Sequence, residues 1–144
     1  MLLTRASEYA LLSLDIIRNT EKPQGVEQLA RELSIPKSFL AKILQGLAKS
    51  DILESKKGAH GGFIMAKKAH EISIAEIIVA AEGKTPAVFD CSQYASSCPH
   101  GAIGTCNISP FLAIFQNKID TFLQELTLED IFNNEHLPSF THRS

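Results

Sequence analysis

At 144 residues the chain has room for one domain, or a small domain with an extension, and a chain of about 150 residues buries roughly 68–70% of its unfolded surface. Its 44% hydrophobic and 21% charged residues exclude a disordered chain, a collagen-like sequence and a disulfide-dense mini-fold. The net charge of -2 conceals a split: residues 1–70 hold eleven Lys+Arg against seven Asp+Glu, whereas residues 71–144 hold three against nine. Within Lys37 to Lys68 seven basic side chains meet only Asp51 and Glu54, a local cationic footprint able to face phosphates.

Apolar runs such as Ile77 to Ala81 fall far short of the roughly 20 residues of a membrane span. The start carries Arg5 and Glu8 and no uninterrupted apolar segment before a small-residue cleavage site. No signal peptide is expected, and the cytoplasm follows by default.

Leu11, Leu12, Leu14, Ile16 and Ile17, after Tyr9 and Ala10, form a broad stripe that predicts a first helix from about Thr4 to Asn19. Glu21 to Gly25 breaks it, and Val26, Leu29, Ala30 and Leu33 predict a short second helix. Ser34-Ile35-Pro36 ends that helix and Pro36 opens the next, where Leu40, Ile43, Leu44 and Leu47 recur at i, i+3, i+4 and i+7. Two helices joined by a three- or four-residue turn have the shape of a helix-turn-helix, with Ser38, Ala41, Lys42 and Gln45 facing outward to reach base edges and phosphates. A plain αα-hairpin with a polar face has the same pattern.

Ile52 to Lys57 and Phe63 to Ala66 predict two short strands around a tip of Gly58-Ala59-His60-Gly61-Gly62. The glycines permit positive φ and close backbone approach, while Lys56, Lys57 and His60 suit a minor groove or phosphates. A hairpin beside a helix-turn-helix is a wing. A nucleotide site is disfavoured, because this loop joins strand to strand and lacks both G-x-G-x-x-G and Walker spacing.

Ser73-Ile74-Ala75-Glu76 predicts a capping box opening a helix through Glu82, with Gly83 as its left-handed end. Lys84 to Asn107 has no sustained period and holds all three cysteines. Ser109-Pro110 then supplies N-cap and N1 for a long helix in which Phe111, Phe115, Ile119, Phe122 and Leu126 form a stripe. Part of its partner is expected from the first helix, and the more economical one is its twin in a homodimer. Thr127 to Asp130 caps a short last helix, and Asn133 to Ser144 is expected to fray.

Cys91, Cys98 and Cys106 fall within sixteen consecutive residues. An odd count in a cytoplasmic chain argues against a disulfide framework, and C-x6-C-x7-C lacks the C-x2-C knuckle of structural zinc sites. Three thiolates suit an iron-sulfur cluster, which usually takes four protein ligands; His100, Asp90, Asn107 or a residue of a second subunit are candidates for the fourth. From spacing alone, free thiols, a sensing disulfide and a zinc site with His100 stand level with the cluster. An enzyme built on Cys98-Pro99-His100 is disfavoured, because adjacent residues rarely present nucleophile and base to one substrate.

Leu3 to Leu11, Ser34 to Leu44, the Gly58 to Phe63 wing, the three-cysteine segment and Leu123 to Ile131 together resemble the Rrf-type family of bacterial winged-helix transcriptional regulators, the IscR, NsrR and RirA-like proteins. The resemblance covers about residues 1–132. It implies a mainly α fold with a small β-hairpin, in which a winged helix-turn-helix over 1–83 is followed by a cysteine loop over 84–107, a dimerisation helix and short terminal helix over 108–132, and a flexible tail over 133–144. It also implies a homodimer on a pseudo-palindromic double-stranded DNA operator, with no membrane partner and no catalysis. In many members an iron-sulfur cluster, of [2Fe-2S] or [4Fe-4S] type, alters DNA affinity, so that the protein senses nitric oxide, iron or cluster status, or redox stress. Carried over by position, Lys37, Ser38, Lys42 and Gln45 belong to the DNA-facing helix, and Lys56, Lys57, His60, Gly61 and Gly62 to the wing.

The same resemblance makes Cys91, Cys98 and Cys106 the cluster ligands. Ser109 stands where IscR-like members carry a ligand histidine, and Leu33 where another cluster mode uses one. Glu8 occupies the place of the acidic ligand that some NsrR-like members contribute across the dimer; its other role is that of an acid favoured by the helix dipole. His60 replaces the arginine that many relatives carry before the glycine pair. A cluster-free regulator of the same fold, sensing a small molecule or thiol oxidation, is the alternative.

Overall fold

The computed structural model describes residues 3–87 and 107–133. In chain order it contains α1 (Arg5–Arg18), α2 (Val26–Leu33), α3 (Lys37–Lys49), β1 (Leu53–Lys56), β2 (Gly62–Met65), a 3-10 turn (Ala69–Glu71), α4 (Ile74–Glu82), α5 (Ser109–Glu125) and α6 (Leu128–Phe132). The fold is mainly α with a two-stranded antiparallel hairpin, as expected. No helix among the described residues is long and apolar enough to cross a membrane.

Local chemistry sets most of these boundaries. Thr4 caps α1 by accepting from the Ala6 N–H, and Ser73 and Glu76 form a reciprocal capping box on α4. Gly83 ends α4 in the left-handed region at φ 75°. Three residues separate α2 from α3: Ser34 takes the left-handed conformation at φ 56°, Ile35 is buried, and Pro36 is extended. Proline disfavours helix at the residue before it, so the turn is sharp.

Leu14, Ile17, Leu29, Leu40, Leu44, Leu47, Ile52, Ile77 and Ile78 are almost fully buried in one core. Each such side chain contributes about 1.5–3 kcal/mol of transfer free energy. Leu123 and Leu128 belong to the same core, so the chain returns from α5 to close it. The return is fixed by backbone pairing: the Ile74 N–H donates to Leu126 O at 2.8 Å and the Leu128 N–H to Ile72 O at 2.9 Å. Arg18 lies over the Phe132 ring at 4.3 Å, which docks α6 on the end of α1.

Three details differ from the sequence expectation. Gly62 is the first residue of β2 and not part of the tip, because it pairs with Lys56. Ile108 is the N-cap of α5, with Ser109 already helical and Pro110 one position further in. The apolar stripe of α5 divides: Ile119 and Leu126 pack against the core with buried Leu123, and Leu112 is buried as well, whereas Phe111, Phe115 and Phe122 face outward. The neighbour of α5 within the protomer is chiefly α4. Gln116, fully buried at the centre of the inward face, donates its amide to Pro86 O at 3.1 Å and Asp120 Oδ1 at 2.9 Å.

Candidate nucleic-acid interface

The inward side of α3 is Leu40, Ile43, Leu44 and Leu47, and this burial leaves Lys37, Ser38, Lys42 and Gln45 exposed on the other side. Ala41 is half-buried between them. Pro36 cannot cap the helix through its side chain, so the first N–H groups of α3 stay open, an arrangement that suits a phosphate oxygen. Lys37 has one carboxylate near it, Glu27 at 3.8 Å, with both side chains well exposed; such a pair contributes little.

Besides its packing on α2 and β1, α3 is held by α1 and α4. Tyr9 of α1 meets Phe39 in its first turn edge-to-face, with ring centroids 5.6 Å apart. At the middle of α3, Gly46 lies so close to α4 that a Cβ there would stand 2.5 Å from the Ala80 carbonyl oxygen. A glycine inside a helix costs about 1 kcal/mol relative to alanine, and here it permits a backbone-to-backbone approach.

In the wing, Lys56 pairs with Gly62 and Leu53 with Met65 across β1 and β2. Lys57, Gly58, Ala59 and His60 are exposed at the tip, and Gly61 closes the turn by donating to Gly58 O at 3.0 Å. Lys56 is exposed and bonds Glu54 at 2.8 Å. Gln24, from the turn between α1 and α2, adds an isolated antiparallel bridge to the hairpin: its N–H donates to Phe63 O at 3.0 Å and the Phe63 N–H donates back at 2.9 Å. The cationic stretch read from sequence therefore divides. Lys37, Lys42, Lys56 and Lys57 lie on α3 and the wing, whereas Lys67 and Lys68 line a shallow depression with Arg18 and His70 beyond the base of the hairpin.

Cys91, Cys98 and Cys106 lie outside the described residues, as do Asp90 and His100. Asn107 is exposed. Among the described residues no group of three or more His, Cys, Asp or Glu side chains is placed to hold a metal ion. Glu8 is exposed in the first turn of α1 and pairs with Arg5 at 3.5 Å.

The acid that sequence did not single out is Glu82, in the last turn of α4. Its Oε1 accepts from the Thr4 N–H at 3.1 Å, from the Thr4 hydroxyl at 2.5 Å and from the buried Ser7 hydroxyl at 2.7 Å. Burial alone would raise its pKa, but hydrogen bonds from the side chains and backbones of Thr4 and Ser7 outweigh this and hold it below the ordinary value. A lowered folded pKa means that the contact stabilises the fold above the ordinary carboxylate range and loses that contribution as pH falls through the lower value.

Residues 3–134 match the Rrf2 family model, described as iron-dependent transcriptional regulators. The chain is 31% identical over 105 residues to protein rrf2 of Nitratidesulfovibrio vulgaris, covering 72% of this chain and 69% of that protein. It is 28% identical over 139 residues to the HTH-type transcriptional regulator IscR of Photorhabdus laumondii, covering 95% of this chain and 82% of the relative. In fold it is similar to CymR, the global cysteine regulator of B. subtilis, with a TM-score of 0.66 at 18% identity, covering 93% of this chain and 98% of CymR. The chain belongs to the Rrf2 family: it is a transcriptional regulator with a winged-helix fold, of a family that binds DNA.

Proposed function

We propose that the protein acts as a homodimer whose affinity for a pseudo-palindromic operator depends on an iron-sulfur cluster held by Cys91, Cys98 and Cys106. The observation that carries this reading is a placement. The three-cysteine segment runs between α4, which supports α3 at Gly46, and α5, whose outer face carries exposed phenylalanines. The donor set fits the group in its chemistry, since three thiolates are soft ligands and a carboxylate can complete four. Glu8 is the fourth ligand in this reading; its side chain is 56% exposed and its ion-pair partner, Arg5, is more exposed still, so little holds it from a second subunit. A bound cluster supplies a centre sensitive to iron supply, oxidation and nitric oxide.

The test is iron and acid-labile sulfide content with a visible spectrum, on protein purified without oxygen. A brown dimer is expected from the wild type, and Cys106→Ala should be a folded dimer that retains no stoichiometric iron or sulfide. A Cys106→Ala protein still holding both would refute the ligand platform. A colourless wild type with undiminished operator binding would transfer the sensing role to thiol oxidation or a small molecule.

For DNA, α3 is the recognition helix in this reading, with Lys37, Ser38, Lys42 and Gln45 at the major groove and Lys56, Lys57, His60, Gly61 and Gly62 at the flanking phosphates or minor groove. Neutralising Lys42 or Lys57 should weaken binding and lower the salt slope by about one phosphate contact for each variant site. Binding titrations over a range of salt concentrations measure this. An unchanged slope in both variants would move the footprint elsewhere.

A further inference from the structure

The three hydrogen bonds on Glu82 Oε1 join residues 75 and 78 positions apart in sequence, and they meet at a particular place. Thr4 and Ser7 belong to the cap and first turn of α1, the helix that supports the start of α3 through Tyr9 and Phe39. Glu82 ends α4, the helix that supports the middle of α3 at Gly46. The next residues, Gly83 and Lys84, lead into the cysteine-bearing segment. Four positions on from Glu82, buried Pro86 is tied to the interior of α5 by Gln116.

Two of the helices that support α3 are therefore joined at one carboxylate. Helix–helix packing alone lets α1 slide or tilt relative to α4, since packed helices shift by an ångström or two in many switching proteins. Charge-assisted hydrogen bonds are shorter and stronger than neutral ones, and three converging on one oxygen fix both the position and the direction of the α1 N-terminus. Ser7 is 1% exposed, so its hydroxyl would be left without this acceptor in a dry environment if the carboxylate withdrew.

We propose that Glu82 is a positioning residue that joins the first turn of α1 to the end of α4, so that a change in the segment beginning at Lys84 reaches α3 through two of its supporting helices at once. This rests on the reading that the cysteine segment is the sensor. Glu82, Thr4 and Ser7 neither touch DNA nor ligate the cluster in that reading. Their effect is on the coupling between the two sites, which in regulated proteins is typically about 5- to 150-fold in affinity.

The experiment uses the full chain and a duplex selected by the wild-type protein from a random-sequence library. Two readouts are taken for wild type, Glu82→Ala, Glu82→Gln and Ser7→Ala: the ratio of duplex Kd values between iron- and sulfide-loaded and iron-free protein, and the change in cysteine alkylation rate by iodoacetamide when duplex is added to iron-free protein. The wild type should show a ratio of about tenfold or more. Glu82→Ala should bring it to within about twofold of unity while its iron content stays close to wild type and its thermal midpoint falls by several degrees, leaving the chain folded at the assay temperature, and Glu82→Gln, which keeps an acceptor oxygen, should restore part of the ratio. Ser7→Ala should act in the same direction as Glu82→Ala. A Glu82→Ala protein with the wild-type ratio overturns the coupling role alone. A wild type whose ratio is unity and whose alkylation ignores duplex overturns the sensing reading and the coupling together; a wild type with only the alkylation response refutes the cluster, and loss of that response in Glu82→Ala then supports the coupling.

Discussion

The double substitution Phe111→Glu with Phe122→Glu should leave a folded protein that sediments as a monomer and binds its operator about 10²- to 10⁴-fold more weakly. The two rings are 61% and 59% exposed on the protomer, so acidic side chains there do not disturb the core, and surface changes of this kind usually stay within about 0.5 kcal/mol. Ile108, Ile114 and Phe115 are exposed on the same helix, and Phe111 stacks on Phe115 with centroids 6.0 Å apart. Adjoining exposed apolar side chains of this size mark an association surface, and a self-complementary one closes as a two-fold dimer. Introducing four like charges across that axis separates the copies. Each then meets a single half-site, and the loss of the second, effectively intramolecular binding event sets the magnitude. Analytical ultracentrifugation and a gel-shift titration measure the two effects, and a variant that remained dimeric at micromolar concentration would place the interface elsewhere. Leu112→Glu is the contrast: Leu112 is 5% exposed on the inward face, so the same charge one position along should unfold the chain.

Gly62→Ala should lower stability by about 3 kcal/mol, a fall of about 10 °C in Tm for a chain of this size. Two causes add. The residue has φ +151°, and a Cβ on it would stand 2.5 Å from the carbonyl carbon and oxygen of Gln24 and 2.8 Å from the Gly25 nitrogen. Those atoms are backbone, so they cannot swing aside, and relieving the clash means breaking the two hydrogen bonds between Gln24 and Phe63. Each such bond contributes about 1 kcal/mol. Gly58→Ala tests the distinction between space and conformation, since Gly58 has φ +112° with nothing within 4 Å of its missing Cβ. Its cost should be only the backbone part, about 1 kcal/mol. Thermal melts of the two variants side by side would show the difference, and equal midpoints would mean that the Gln24 contact contributes nothing.

The parts of this fold legible in sequence are those decided within a few residues. Pro36 fixed the turn before α3, Ser73 and Glu76 fixed the start of α4, and Gly83 fixed its end, because each satisfies or blocks a backbone group nearby. The spacing of Leu40, Ile43, Leu44 and Leu47 likewise determined which side of α3 faces outward, and with it the exposure of Ser38, Lys42 and Gln45. What escaped the sequence was decided by distant partners. Gln24 has no local mark of a strand, and its pairing with Phe63 exists only because α1 and the hairpin lie side by side. Gly46 reads as a weak point in a helix until Ala80 is seen against it. In α5, apolar residues run on consecutively from Phe111 to Phe115, so periodicity could not say which face turns inward, and the polar Gln116 at the centre of the buried face obscured the stripe. Thr4 is legible as the start of the first helix, but the acceptor it shares with Ser7 lies in the final turn of α4.

The backbone bridge at Gln24 reassigns where this protein can tolerate added length. Judged by eye, the polar connection from Asn19 to Gly25 is the natural place for an insertion and the glycine-rich wing the delicate one. Gln24 is held by two backbone bonds and buried, whereas Ala59 and His60 project into solvent. Extra residues before Gln24 must be looped out ahead of a fixed anchor, and extra residues after it displace the start of α2 and the turn that orients α3. A peptide tag or a longer tip between Ala59 and His60 meets neither constraint, so in this protein the reach of the wing can change while the plain-looking connection behind it must keep its length.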